Sequence, residues 1–213
     1  MRSVPAVPLS EEELLDPDRA ALVVWDMQVG MAGKAPGVDG VARVARNLIA
    51  EADNAEMPVI WSRHVGLPLE FTSAVRRAQF MERQNVVSPQ DVKPHMLPGD
   101  PGVAFLPDLQ PAAHHLVLDK TTPSFFIGTP FDSALRATRT EVIVLCGVAT
   151  ERGIEFTARH AIALGYFVVI VEDGVGSFTQ EGHELGMAFL RSAARVLPSS
   201  RIISIWQSHT RGR

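Results

Sequence analysis

The segment from Glu141 to Ala161, EVIVLCGVATERGIEFTARHA, leaves this chain few folds to choose from. Val142 to Leu145 is apolar on both faces and is stopped by Gly147, the pattern of a buried parallel strand. Thr150 suits a helix N-cap, where its hydroxyl accepts a bond from an unpaired backbone N–H. Beyond it Ile154, Ala158, Ala161 and Ile162 recur at helical spacing and make one apolar face. Strand, tight turn and helix in that order point helix N–H groups at whatever lies beyond the strand's carboxyl end.

The same alternation runs along the chain. Ala20 to Trp25 reads as the first strand, ended by Asp26, Met27 and Gln28. Val41, Val44, Ala45, Leu48, Ile49 and Ala52 form a helical stripe, and Val59 to Trp61 a second strand ending in Ser62, Arg63 and His64. Phe71 to Gln84 has helical character, and a proline-rich excursion to Pro111 follows it. An irregular segment of that length usually makes a lid, a site wall or a subunit contact. Leu116 to Leu118, Tyr166 to Val171 and Arg201 to Ile205 read as further strands. Thr129 and Pro130 suit a helix start, and Thr179 caps a helix whose apolar face holds Leu185, Ala188, Phe189, Ser192, Ala193 and Val196. The expectation is an α/β fold, a three-layer α/β/α sandwich around a mainly parallel, roughly six-stranded sheet. One domain is expected to span residues 1–213, with 1–19 as an N-terminal arm.

Composition excludes several classes of function. The net charge is -4, with the charges dispersed, so no basic stripe marks a nucleic-acid surface. No apolar run is long enough to span a bilayer. The start, MRSVPAVPLSEEELL, lacks the apolar core of a signal peptide, which points to the cytoplasm. A single cysteine, Cys146, excludes an intrachain disulfide and a thiolate zinc site. Cys146 lies inside the apolar strand, where a thiol is inert and its pKa raised.

In a parallel sheet, function gathers at the carboxyl ends of the strands. Three polar features fall there: Asp26, Lys120 and the turn from Gly147 to Gly153. Together they resemble the isochorismatase-like hydrolase superfamily of nicotinamidases, N-carbamoylsarcosine amidohydrolases and isochorismatases. Asp26–Met27–Gln28 matches that family's Asp-x-Gln motif. Lys120, Ser124 and Phe126 match its Lys-x-x-x-Ser-x-Phe segment, and GVAT with the TARHA helix matches its signature turn. The resemblance covers Ala20 to Ile205. It implies that Asp26 is the acid/base and Lys120 its cationic partner, that the Val148–Ala149 peptide is cis, and that the protein is a homo-oligomer, dimer or tetramer. Gln28, His64, Phe126, Val148, Ala149 and Gly153 become candidate substrate-binding residues.

The family's amidases carry a nucleophilic cysteine six residues after the motif glycine. Here that position is Gly153, so no thioester forms there. The isochorismatases and aminodeoxyisochorismate hydrolases also have glycine at this position. In them an aspartic acid protonates the vinyl ether of the substrate, water adds, and pyruvate leaves. That branch reads GVYA in the turn, whereas this chain reads GVAT, as the amidases do. Lys120 beside Asp26 favours the carboxylate, and a dicarboxylate substrate would oppose it. Arg63, Arg76, Arg77 and Arg83 are candidate anchors for such a substrate. Three readings follow: an acid-catalysed vinyl-ether hydrolase, a C–N hydrolase using water activated by Asp26, and a non-catalytic binder of a small ligand. No cofactor is expected. No metal is expected either, because Ser62 replaces the nicotinamidase aspartate two residues before His64, and His95, His114, His115, His160 and His183 form no zinc-spaced set with a carboxylate.

Overall fold

A computed structural model describes residue 7 and residues 10–211 of the chain. Most of the expected N-terminal arm lies outside the described residues. Its described part holds the short helix α1 (Glu11–Leu14), closed by a capping box between Ser10 and Glu13. The elements that follow are β1 (Ala20–Trp25), α2 (Val38–Asn54), β2 (Val59–His64), α3 (Ala74–Gln84), β3 (Leu116–Lys120), α4 (Phe131–Ala137) and β4 (Val142–Val148). A π-helical turn, Thr150–Ile154, leads into α5 (Glu155–Ala163), and β5 (Phe167–Gly176), α6 (Gln180–Ala193), β6 (Arg195–Leu197) and α7 (Ser199–Arg211) complete the fold. Among the described residues no helix is long and apolar enough to cross a membrane.

The sheet order is β3-β2-β1-β4-β5-β6, and all five pairings are parallel. The period of two along β1 divides the core. Ala20, Leu22 and Val24 pack on one face with Ala45 and Leu48 of α2 and Ile202 and Trp206 of α7. Ala21, Val23 and Trp25 face the other side, against Ile154 and Ala158 around α5 and Met187 and Leu190 of α6. Each face is covered by helices, which is why these strands are apolar throughout.

Three expectations need correction. Arg201 to Ile205 is not a strand but the middle of α7, and the sixth strand is the three-residue β6. Ile202, Ile205 and Trp206 are the buried apolar positions, spaced at i, i+3 and i+4, so IISI reads equally as alternation or as a helical face. The Trp206 indole settles it by donating to the Leu15 carbonyl. On α6 the buried positions are Gly186, Met187 and Leu190, while Leu185 and Ala188 are exposed. Thr150 is not an N-cap: its hydroxyl donates to the Gly176 carbonyl and accepts from His183 Nδ1, which ties the turn to β5 and α6.

Candidate active site

Adjacent strands bring distant residues together. Asp26 follows β1, Ser62 and His64 end β2, and Lys120 ends β3. β2 and β3 pair with His64 opposite Lys120, and Trp25 lies opposite Ser62. The backbone turns sharply at Asp26 (φ 46°), which swings its carboxyl under the neighbouring strands. Lys120 Nζ donates to Asp26 Oδ2 at 2.7 Å, and Ser62 Oγ donates to Asp26 Oδ1 at 2.6 Å. Asp26 is 2% exposed and Lys120 4%. Burial raises the Asp26 pKa, and it outweighs the opposing effects of Lys120 and Ser62.

β4 supplies the facing wall. Gly147 has φ 121°, and a Cβ there would press on the backbone of Trp25, with its nitrogen 2.8 Å away. Glycine therefore lets β4 close on β1 at this level. The Val148–Ala149 peptide is cis. Gly153 then lies under the Trp25 indole. A Cβ at Gly153 would overlap Nε1 and stand 2.5 Å from Cε2 and Cζ2. The space that a side chain at position 153 would take is filled by the indole of Trp25 from β1. Lys120 Nζ sits over that ring, 4.5 Å from its centroid.

Trp25, Asp26, Lys120, Ala149 and Gly153 line a cavity of about 280 Å³. Besides the Asp26–Lys120 pair it is walled by Lys34, Arg76, Arg83 and Arg152. Among the described residues no carboxylate forms an ion pair with Lys34, Arg76 or Arg83, while Arg152 lies 3.3 Å from Glu151. The pKa of Arg76 is lowered by burial and by Arg83 and Arg152, so the cations repel one another across the cavity. His64 has its pKa lowered to about 3, mainly by burial, and is neutral near pH 7.

The expected site residues divide accordingly. Asp26, Lys120, His64, Ala149 and Gly153 line the cavity; Gln28, Phe126 and Val148 do not. Gln28 is fully buried and spends its amide on the main chain: Nε2 donates to the carbonyls of His64 and Val103, and Oε1 accepts from the His64 N–H. It braces β1 against β2 and the excursion. Val148 is core, and Phe126 packs against Phe131, His160 and Tyr166. Of the arginines, Arg76 and Arg83 reach the cavity. Arg63 pairs with Asp119, and Arg77 donates to the Leu69 and Thr72 carbonyls. Lys34, Arg152 and Trp25 had not been expected, because loop cations and strand aromatics carry no motif. The excursion serves as a site wall through His95, beside Arg76 and Arg83 of α3.

Among the described residues, the potential metal-binding clusters lie elsewhere. Asp53, His114 and His115 converge near the opposite, amino-terminal ends of β2 and β3. His115 Nδ1 accepts from Trp61 Nε1 and from the Ala112 N–H, so Nε2 holds the ring proton and donates it to Asp53. That arrangement is a hydrogen-bonded brace, with the Nε2 lone pair not free for a metal. The other such group, Asp16, Asp18 and His209, is also remote from the cavity.

Cys146 is fully buried in β4, and desolvation pushes its pKa up to about 12. Iodoacetamide is therefore expected to leave the native protein unlabelled, and Cys146→Ser to retain activity. Rapid native-state labelling in a mass-spectrometric time course, with loss of turnover, would contradict this.

An all-parallel sheet with a buried Asp26–Lys120 pair at the carboxyl ends of its strands is the architecture of an α/β enzyme. The chain belongs to the isochorismatase family, with the Isochorismatase domain matching residues 20–200, and it is a hydrolase. It is 30% identical over 181 residues to the uncharacterized isochorismatase family protein YwoC of Bacillus subtilis, covering 83% of this chain and 87% of that one. It is 26% identical over 193 residues to the ureidoacrylate amidohydrolase RutB of Cronobacter sakazakii, covering 84% and 80%. A cysteine hydrolase structure from Pseudomonas syringae pv. phaseolicola superposes with a TM-score of 0.80 at 20% identity, covering 98% of this chain and 100% of that one, a likeness of fold.

Proposed function

We propose that this hydrolase works without a thiol, by protonating the vinyl ether of an anionic, isochorismate-like substrate from Asp26. The observation that supports this most is the contact between Gly153 and Trp25, which leaves no room for a cysteine side chain. Burial, which raises the Asp26 pKa, suits a proton donor, and the unpaired cations of the cavity suit an acidic substrate. Asp26 gives its proton to the terminal vinyl carbon, and an oxocarbenium ion forms. Water adds to that ion and returns a proton to Asp26. The hemiketal collapses to an alcohol and pyruvate. Lys120 and Ser62 hold the carboxyl group in place throughout. A homo-oligomer and a cytoplasmic location belong to the same proposal.

A second reading is C–N hydrolysis by water activated at Asp26, favoured by the similarity to a ureidoacrylate amidohydrolase. The two readings differ in the sign of their pH dependence. A proton donor is active while protonated, so the rate falls as pH rises through the pKa of Asp26. A base is active while ionised, so the rate rises. His64, neutral above about pH 3, adds no limb near neutrality. Lys120→Ala removes a cation that lowers the Asp26 pKa. It is expected to move the falling limb to higher pH while lowering the maximum rate. The test is a pH–rate profile for pyruvate release from isochorismate or its amino analogue. A rising limb, or Asp26-dependent amide cleavage without vinyl-ether cleavage, would favour the second reading.

A further inference from the structure

Trp25 is 1% exposed, yet its indole lines the cavity beside Asp26. The chain's other two tryptophans use their N–H groups internally, Trp61 to His115 Nδ1 and Trp206 to the Leu15 carbonyl. Trp25 Nε1 makes no hydrogen bond to any described residue. Among the described residues no buried side-chain nitrogen or oxygen lacks a partner, so this unpartnered atom must keep an open face. The indole edge that carries Nε1 lies against Gly153, and Trp25 and Gly153 both line the cavity. The ring has little freedom to turn away. Lys120 Nζ covers it, and Phe125 packs against it in an edge contact with centroids 5.4 Å apart.

A donor with an open face on a binding cavity is available to hydrogen-bond a ligand that displaces water there. We infer that Trp25 Nε1–H is a substrate-binding donor, which hydrogen-bonds an anionic oxygen of the substrate in the cavity that Trp25 and Gly153 line. A carboxylate oxygen fits the chemistry. It accepts from the indole on one side, and Lys34, Arg76, Arg83 and Arg152 surround the same space. Lys120, resting on the indole face, strengthens the N–H as a donor by drawing charge from the ring. The inference rests on the reading of the cavity as a site for an acidic small molecule, but not on the reaction that follows.

The test uses the whole protein, labelled with ¹⁵N and titrated with pyruvate and with malonate. Trp25→Phe assigns its indole N–H resonance by disappearance, and those of Trp61 and Trp206 serve as internal references. The Trp25 indole proton is expected to move downfield to saturation while the other two stay in place. Replacing Trp25 by 3-benzothienylalanine keeps the ring shape and removes the donor. It is expected to weaken anion binding about tenfold or more, as for a hydrogen bond to a charged group, with the melting temperature retained. A stationary Trp25 resonance, equal binding by the benzothienyl protein, or no binding of either anion would overturn the inference. Vinyl-ether turnover is measured separately. If turnover is absent while the indole moves, the proposed reaction fails and the donor stands. If turnover is present while the indole stays in place, the donor alone fails.

Discussion

Asp26→Asn is expected to lower kcat by about 10²–10⁴, the usual contribution of a general acid. Asparagine is the right replacement for a backbone reason as well as a chemical one. Residue 26 sits at φ 46°, a region that aspartate and asparagine enter readily and alanine does not. Asp26→Ala would therefore mix backbone strain with loss of the proton. The amide is close to the carboxyl in size, but its NH₂ group cannot accept. It can take a hydrogen bond from Ser62 or from Lys120, not from both at full strength. One buried donor is left short, at about 1–3 kcal/mol. The expected result is a folded, slightly less stable protein that binds its acid product but does not turn over. Single-turnover pyruvate release together with urea denaturation would check it. An Asp26→Asn protein that retained more than a tenth of the wild-type rate would remove Asp26 from the chemistry.

The second large effect is steric. Gly153→Cys, which would introduce a thiol at the position that the proposed mechanism leaves without one, is expected to destabilise the protein by about 1–3 kcal/mol or more, because Cβ and the Trp25 indole claim the same space. Trp25→Val alone is expected to cost about 3–5 kcal/mol, as for an emptied aromatic position. The double variant should be more stable than the sum of the two losses by about 0.5–3 kcal/mol, the range for residues that share one space. Its new thiol would lie beside Lys120 and should react with iodoacetamide, where Cys146 does not. Urea melts of the four proteins measure the coupling. Strictly additive losses would mean that the indole and the glycine are independent, and the steric account of the missing thiol would fall.

Much of this was legible in the sequence, and the reason differs by element. β1 was readable to the residue, Ala20 to Trp25, because a strand buried on both faces is a continuous apolar run closed by a polar one. Asp26 and Lys120 were readable because motif and strand end coincide. α7 was misread because IISI between polar residues satisfies both periods, and only the partners of Trp206 decide between them. The role of Gln28 was hidden for a similar reason. A glutamine after a strand looks available to a ligand until its hydrogen bonds to His64 and Val103 are known. The cavity's cations come from Lys34, Arg76, Arg83 and Arg152, four positions on separate loops and a helix whose convergence is a property of the tertiary fold. Trp25 gave no signal at all. In a strand of six apolar residues nothing marks the one whose ring edge reaches the cavity.

The pairing of β1 with strands on both sides has a consequence for how the chain reaches this state. Leu22 pairs with Val59 on one side and with Val144 on the other, and the sheet contains no hairpin. No strand finds its partner locally, so loop closure must be met before the sheet gains a pairing, and such topologies fold slowly. Asp26 and Lys120 lie on strands separated by β2, and Gly153 lies beyond β4. The Asp26–Lys120 pair and its wall therefore come together only after β3, β2, β1 and β4 are in register. Recovery of activity after dilution from denaturant would then lag behind the recovery of helix, and it would report the completion of the sheet rather than its beginning.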